Sequence, residues 1–190
     1  MADLTPITPL GGTTLRSETI GALRIAEGDD WALASVAARA GQAQAVGAGL
    51  RELTGLDLPG PGGMASAGDW RALWLSPESW LLAAPLAQEP DIADTVKRPV
   101  GDGASVTEQT DAWVRFDITA PDDDRLWPLL ERLCNIDPAC AGPGTATRTV
   151  MEHLAAILLR EGAGRAAVLG ARSSAASLHH ALVAAARSVA

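Results

Sequence analysis

Apolar residues recur at helical spacing in two segments of this chain that lie eighty residues apart. In both segments an aspartate and a turn rich in proline and glycine follow the last apolar residue, and such residues end a helix. Two copies with this long period are too few for a solenoid, so the pattern predicts an internally duplicated α+β unit whose copies pack into one body. The apolar positions are Val46, Leu50, Leu53 and Leu56 in the first segment and Leu126, Leu130, Leu133 and Ile136 in the second.

Shorter apolar runs between these segments predict β-strands. Ser76-Pro77-Glu78 separates two such runs and predicts a hairpin, because proline presets the turn dihedral. Gly162-Ala163-Gly164 predicts a second hairpin turn, and the alternation of polar and apolar residues over 112–118 predicts a strand with one wet face. The predicted strands cover residues 31–37, 70–75, 79–84, 104–108, 112–118, 145–152, 154–159 and 165–169.

The predicted helices cover residues 42–53, about 119–134 and 173–188, with a surface helix and linker within 87–103. Thr119 is the expected N-cap of the second helix, with Asp122 three residues later and Pro121 in the first turn. Pro128 removes one hydrogen bond inside that helix, so we expect a kink or a late start. The last helix should bury a stripe that consists of Leu178, Leu182, Val183 and Ala186.

These elements predict an N-terminal arm, residues 1–30, followed by a single domain, residues 31–190, with halves at about 31–103 and 104–190. The arm is rich in threonine, glycine and charge, and we expect at most one short strand, at 21–25. A chain of 190 residues can bury enough surface for one substantial core, and 47% of its residues are hydrophobic.

Composition and charge exclude several classes of partner. The net charge of −8 arises from 23 acidic and 15 basic residues, which repels the phosphates of nucleic acids. One acidic cluster, at 122–124, is expected at a helix start, where the helix dipole favours it, and another occupies 27–30. The chain has no run of about 18 apolar residues and no basic leader, so we expect a cytoplasmic protein without a membrane partner.

No motif of known chemistry occurs in the sequence. Phosphate-binding glycine loops, the nucleophile elbow, HExxH and paired-cysteine redox motifs are all absent. Cys134 and Cys140 lack metal-site spacing, so we expect buried or partly buried free thiols, with a local disulfide as the alternative. His179 and His180 diverge by about 100° on a helix and do not face one metal ion.

Two further features have both a structural and a functional interpretation. Asp57 and Asp137 recur at equivalent helix exits, where Asx turns explain them better than a pair of catalytic carboxylates. Six tryptophans accompany one phenylalanine and no tyrosine; core packing explains most of them, while interface anchors or a stacking platform for a flat cofactor are the alternatives. We therefore assign no catalytic, cofactor-binding or metal-binding residue to this chain.

Three segments together resemble the gamma subunit of heterotetrameric sarcosine oxidase. They are residues 74–82 (WLSPESWLL), residues 111–118 (DAWVRFDI) with their Thr-Ala-Pro exit, and residues 135–138 (NIDP). The resemblance extends over roughly 31–188, and the first segment is also similar to the folate-binding superfamily that includes aminomethyltransferases. It implies an α+β, internally duplicated folate-binding-type domain with antiparallel sheets flanked by helices.

The resemblance also implies a non-catalytic structural and assembly subunit with alpha, beta and delta partner subunits. In that family FAD, NAD and covalent FMN belong to the alpha and beta subunits, and zinc belongs to the delta subunit. The complex oxidatively demethylates sarcosine to glycine, produces hydrogen peroxide and passes the one-carbon unit to tetrahydrofolate. The alternatives are a stand-alone tetrahydrofolate-binding or aminomethyl-transfer protein, a subunit of a related N-methyl amino acid dehydrogenase, and a self-associating structural domain.

Overall fold

The computed structural model describes residues 5–190, and these form two compact units. The central unit is Asp30–Thr110, and the flanking unit combines the described residues up to Asp29 with Asp111–Ala190. The strands are β1 (Ser17–Ile20), β2 (Leu23–Gly28), β3 (Trp31–Ala38), β4 (Met64–Ala67), β5 (Trp70–Ser76), β6 (Ser79–Pro85), β7 (Ala104–Glu108), β8 (Trp113–Thr119), β9 (Thr145–Met151), β10 (Leu154–Gly162) and β11 (Arg165–Ala171). The helices are α1 (Ala43–Thr54), α2 (Ile92–Val100), α3 (Asp123–Leu133) and α4 (Ala175–Val189).

The central unit is an antiparallel sheet in the order β4-β5-β6-β3-β7 that packs against α1 and α2. The two helices approach closely at Gly49, where an added Cβ would lie 2.6 Å from the carbonyl oxygen of Pro99. Gly55, with φ of 71°, ends α1 in the left-handed conformation that glycine adopts without strain. The core of this unit includes Ala34, Val36, Val46, Leu50, Leu56, Leu82, Ile92 and Val96.

The flanking unit is an antiparallel sheet in the order β1-β2-β8-β11-β10-β9 that packs against α3 and α4. Burial alternates along β8 as its sequence predicts. The predicted stripe of α4 is buried. The core of this unit includes Ile25, Val114, Phe116, Ile118, Leu126, Leu130, Leu158, Val168, Leu178 and Leu182.

The two units share one strand order, which supports the predicted duplication. In the central unit β4, β5, β6 and β3 are neighbours in the positions that β9, β10, β11 and β8 occupy in the flanking unit. The fifth position is filled by β7 in one sheet and by β2 in the other, and only the flanking unit adds a sixth strand, β1. The predicted fold class, α+β with antiparallel sheets flanked by helices, is confirmed.

The structure differs from the sequence-based boundaries at the two ends of the central unit. The predicted arm contains two strands rather than one, and β2 pairs with β8 through Ile25 and Ile118, while residues 1–4 lie outside the described residues. The strand 104–108, which the sequence pattern assigns to the second half, pairs with β3 of the central unit. Both differences arise from long-range strand pairing, which local sequence patterns do not specify.

The start of α3 also corrects a prediction. Asp122 is the N-cap residue, and its carboxylate accepts the backbone N–H of Arg125 at 3.0 Å. Thr119 instead lies at the end of β8, where it pairs with Arg165, and Pro121 precedes the helix. The strand β8 therefore extends through Thr119, the residue that the sequence predicts as the N-cap of the helix.

Candidate functional site

Residues 7–16, which we call the N-terminal segment, run from an irregular turn to the edge of the flanking sheet. Thr8 accepts the N–H of Gly11 at its carbonyl oxygen, and its own N–H donates to the carbonyl of Gly12, both at 2.8 Å. Gly11 has φ of 79°, a conformation that favours glycine. The guanidinium of Arg172 donates to the carbonyl oxygen of Ile7 at 3.1 Å and so ties the segment to the chain just before α4.

The buried carboxylate of Glu27 holds the N-terminal segment. Glu27 is 4% exposed, and its two oxygens accept the backbone N–H groups of Leu10 at 2.9 Å and Arg16 at 3.1 Å. The N–H of Glu27 donates to the carbonyl of Arg16 at 2.8 Å. An ionised carboxylate is a strong acceptor for two convergent N–H groups, so this residue fixes the course of the segment. Sequence reasoning missed this role because Glu27 lies in an acidic run.

A second polar cluster joins α4 to β1. His179 is buried, and its Nε2 lies 3.4 Å from a carboxylate oxygen of Glu18. Arg16 Nη2 lies 2.7 Å from the same oxygen, and Arg187 approaches the other carboxylate oxygen at 3.9 Å. Burial lowers the pKa of His179, and the nearby positive charge of Arg16 acts in the same direction. The cluster therefore places the buried imidazole of His179 between α4 and a carboxylate whose charge is balanced by arginine.

Exposed apolar side chains point to the N-terminal segment as a candidate docking surface. Ile7 is 59% exposed and Leu15 is 44% exposed, and the other exposed large hydrophobic residues described are Leu86 and Val150. Open grooves of about 480 and 440 Å³ lie along this segment. Apolar side chains on a segment held by backbone hydrogen bonds suit contact with another protein surface.

The remaining predicted candidates lie apart from this surface or act in local structure. Cys134 and Cys140 are both free thiols, as predicted. Cys134 is buried but Cys140 is exposed, so the prediction of burial is confirmed for Cys134 and wrong for Cys140. Asp137 accepts the N–H of Ala139 at 2.9 Å, as an Asx turn requires, whereas Asp57 forms an ion pair with Arg51.

The tryptophans divide between the core and partly buried positions. Trp31 and Trp80 are buried, and the indole N–H of Trp80 donates to the carbonyl of Pro59 at 2.9 Å. Trp70, Trp74, Trp113 and Trp127 are partly buried.

Within residues 5–190, no three histidine, cysteine, aspartate or glutamate side chains lie close enough together to share a metal ion. None of the helices in this part of the chain has the length and apolar composition needed to cross a membrane.

Comparison with known proteins identifies the fold. Neither protein-family models nor curated proteins match the chain. The heterotetrameric sarcosine oxidase from Corynebacterium sp. U-96, solved in complex with pyrrole 2-carboxylate, contains a similar chain with a TM-score of 0.76 and 23% identity. The protein shares the fold of that sarcosine oxidase chain. The alignment covers 90% of this chain and 87% of that one.

A second solved structure has a similar fold but a longer chain. The glycine cleavage system aminomethyltransferase T from Bartonella henselae matches with a TM-score of 0.60 and 12% identity. The alignment covers 85% of this chain and 48% of the aminomethyltransferase. Both neighbours agree with the fold class that the sequence predicts.

Proposed function

We propose that this chain is a non-catalytic structural and assembly subunit of a sarcosine oxidase-type complex. The observation that carries the proposal is the match over nearly the whole length of both chains to one chain of a heterotetrameric sarcosine oxidase. The sequence resemblance to the gamma subunit, which rests on the segments 74–82, 111–118 and 135–138, agrees with it. In this proposal the chain provides a scaffold and contributes no group to the reaction.

The partner subunits in this proposal are alpha, beta and delta, which hold FAD, FMN, NAD, zinc and tetrahydrofolate. The assembled complex oxidises the methyl group of sarcosine, forms glycine and transfers the one-carbon unit to tetrahydrofolate. The N-terminal segment is the surface that we assign to the partner contact, because Ile7 and Leu15 expose apolar side chains on a fixed backbone. A related N-methyl amino acid dehydrogenase would use the same contact but would not produce hydrogen peroxide.

Co-purification from the native host tests this proposal. Tagged chain should elute with flavoprotein subunits that sequencing identifies as alpha and beta, and the eluate should be yellow and should produce hydrogen peroxide from sarcosine. A variant with Ile7→Asp and Leu15→Asp should lose these partners but keep its melting temperature. Val150→Asp is the matched control, because Val150 is also 59% exposed but lies on β9. A colourless chain that elutes alone would contradict the proposal.

The aminomethyltransferase match supports a second candidate, a stand-alone tetrahydrofolate-binding or aminomethyl-transfer protein. It is the weaker candidate, since this chain spans about half, 48%, of that enzyme and shared fold alone does not carry function. Isothermal titration of the isolated chain with tetrahydrofolate separates the two. Saturable binding without partner subunits would favour the second candidate.

A further inference from the structure

When the two duplicated sheets are compared, the central sheet has one strand fewer than the flanking sheet. In the flanking unit β1 pairs with the outer edge of β2, whereas in the central unit β7 is the last strand. Ser105, Thr107 and Glu108 on β7 are exposed, and Val106 is only partly buried against the core. The edge of β7 therefore occupies the position to which a further antiparallel strand is added in the other half of the chain.

The register of β7 determines which of its backbone groups face outward. Gln109 donates its N–H to the carbonyl of Leu33, and Arg39 donates to the carbonyl of Gly103, both at 2.8 Å. In an antiparallel ladder alternate residues bond the same neighbour, so Ser105 and Thr107 bond β3. The N–H and C=O groups of Ala104, Val106 and Glu108 consequently point away from β3 and towards the open edge.

The edge of β7 carries opposite charges at its two ends, so it is complementary to a second, antiparallel copy of itself. Lys97 Nζ lies 2.9 Å from the carbonyl oxygen of Ala104, at one end of β7. Glu108 is at the other end, where its carboxylate accepts the N–H of Thr110 at 3.0 Å and the Thr110 hydroxyl. In an antiparallel pair centred on Val106, Ala104 lies opposite Glu108 of the second strand, which brings that carboxylate towards Lys97. The twofold axis repeats this contact at the other end.

We propose that β7 pairs antiparallel with β7 of a second copy of this chain, centred on Val106. Val106 and its symmetry mate exchange two backbone hydrogen bonds, and Ala104 exchanges two with Glu108 at each end. The carbonyl of Ala104 has a second lone pair, so it accepts the new N–H while Lys97 remains close. Five residues form a small interface compared with the 1,200–2,000 Å² typical of stable complexes, so the association is weak and concentration-dependent.

Sedimentation equilibrium of the full-length chain over increasing concentration tests the pairing. The mass should rise from 19.6 kDa towards twice that value. Val106→Pro removes an outward N–H without removing a bond to β3 and should keep the chain monomeric, whereas Val106→Thr retains that N–H and should associate like the wild type. A wild-type mass that stays at 19.6 kDa up to about 1 mM would overturn the proposal.

Charge reversal tests the same contact independently of the proline variant. Lys97→Glu and Glu108→Lys each place like charges together, so each variant alone should associate at least about tenfold more weakly than the wild type. An equimolar mixture of the two restores both ion pairs and should recover the dimer. Failure of the mixture to associate, with both variants folded by circular dichroism, would refute the register. Only the isolated chain is used, so this failure is distinct from failure of the proposed function.

Discussion

Replacing Arg160 by methionine should destabilise the flanking unit by several kcal/mol. The side chain is 1% exposed, and its Nε donates to the carbonyl of Ala141 at 3.2 Å. Nη1 donates to the carbonyl of Arg165 at 3.3 Å, and Nη2 donates to the carboxylate of Asp123 at 2.7 Å. The guanidinium also lies 5.2 Å from the ring centre of Trp127. One cation thus joins the start of α3, the loop before β9 and the β10–β11 hairpin.

The magnitude follows from what the substitution leaves behind. Methionine retains much of the apolar stem but no donor, so two carbonyls and one carboxylate lose a charged partner. Removing one partner of a buried pair typically costs about 3–5 kcal/mol. Asp123 is 37% exposed and still accepts the N–H of Gly164 at 2.8 Å, so solvent and that bond compensate part of the loss. We therefore expect a decrease of about 3 kcal/mol in the free energy of unfolding.

Urea unfolding of the full-length chain measures this change, with tryptophan fluorescence as the signal. Arg165→Met is the matched control, because that guanidinium is 66% exposed and lies 4.0 Å from Glu161, and it should cost less than about 1 kcal/mol. A loss below about 1 kcal/mol for Arg160→Met would refute the reasoning that Arg160 is a buried, satisfied cation.

The pH dependence of the same pair has a defined sign. The N–H of Gly164 and then the guanidinium of Arg160 lower the pKa of Asp123 in the folded chain. Their stabilisation is present above the ordinary aspartate pKa of about 3.9 and is lost as the pH falls through the lower folded value. The stability difference between the wild type and Arg160→Met should therefore narrow in strong acid.

Three more predictions concern particular contacts. Gly49→Ala places a Cβ 2.6 Å from the carbonyl oxygen of Pro99 and should lower the free energy of unfolding by about 1–3 kcal/mol, as measured in urea. Because burial lowers the pKa of His179, its contribution to the free energy of unfolding should be fully present above about pH 6.5 and should decrease as the pH falls below that value. His179→Leu should reduce this pH dependence, as measured by urea titrations at several pH values. Glu27→Gln removes the charge that accepts two N–H groups of the N-terminal segment, so hydrogen exchange of those amides should accelerate at least about tenfold.

Matched control variants distinguish these effects from nonspecific destabilisation of the fold. Gly47→Ala lies on the same helix, and its Cβ would meet only a side-chain atom of Leu58 at 4.0 Å, so it should stabilise α1 by up to about 1 kcal/mol. A similar loss in both glycine variants would contradict the close-packing argument. His180 is exposed on the same helix and is the smallest of the influences on the pKa of His179, so His180→Leu should change the acid response less than His179→Leu does. Unchanged exchange of the Leu10 and Arg16 amides in Glu27→Gln would show that another contact holds the segment.

Local sequence patterns predicted most of the elements, but not β1 or β4, and they did not predict all of the strand partners. The helix predicted at 42–53 is Ala43–Thr54, and the strand predicted at 104–108 is Ala104–Glu108. Its membership of the central sheet depended on pairing with β3, which involves residues about seventy positions away in the sequence. Propensity and periodicity depend on a few neighbouring residues, whereas strand pairing depends on residues that are far apart in the sequence.

The residues of the candidate docking surface are even harder to predict from local sequence. Nothing in the local sequence separates Glu27 from the neighbouring acids Asp29 and Asp30, yet the fold buries it beneath the N-terminal segment. The exposure of Ile7 is likewise decided by what the rest of the flanking unit leaves uncovered.

The sequence by itself determined the helices, the hairpin turns at 76–78 and 162–164 and the duplicated pattern, because these depend on the spacing of apolar residues and on turn chemistry within short segments. Only the tertiary structure decided that β1 and β2 join the flanking sheet, that β7 ends the central one, and that Glu27, Arg160 and His179 become buried polar anchors. Burial of a charge is favourable only where distant backbone and side-chain groups converge to satisfy it, and that convergence is a property of the folded chain.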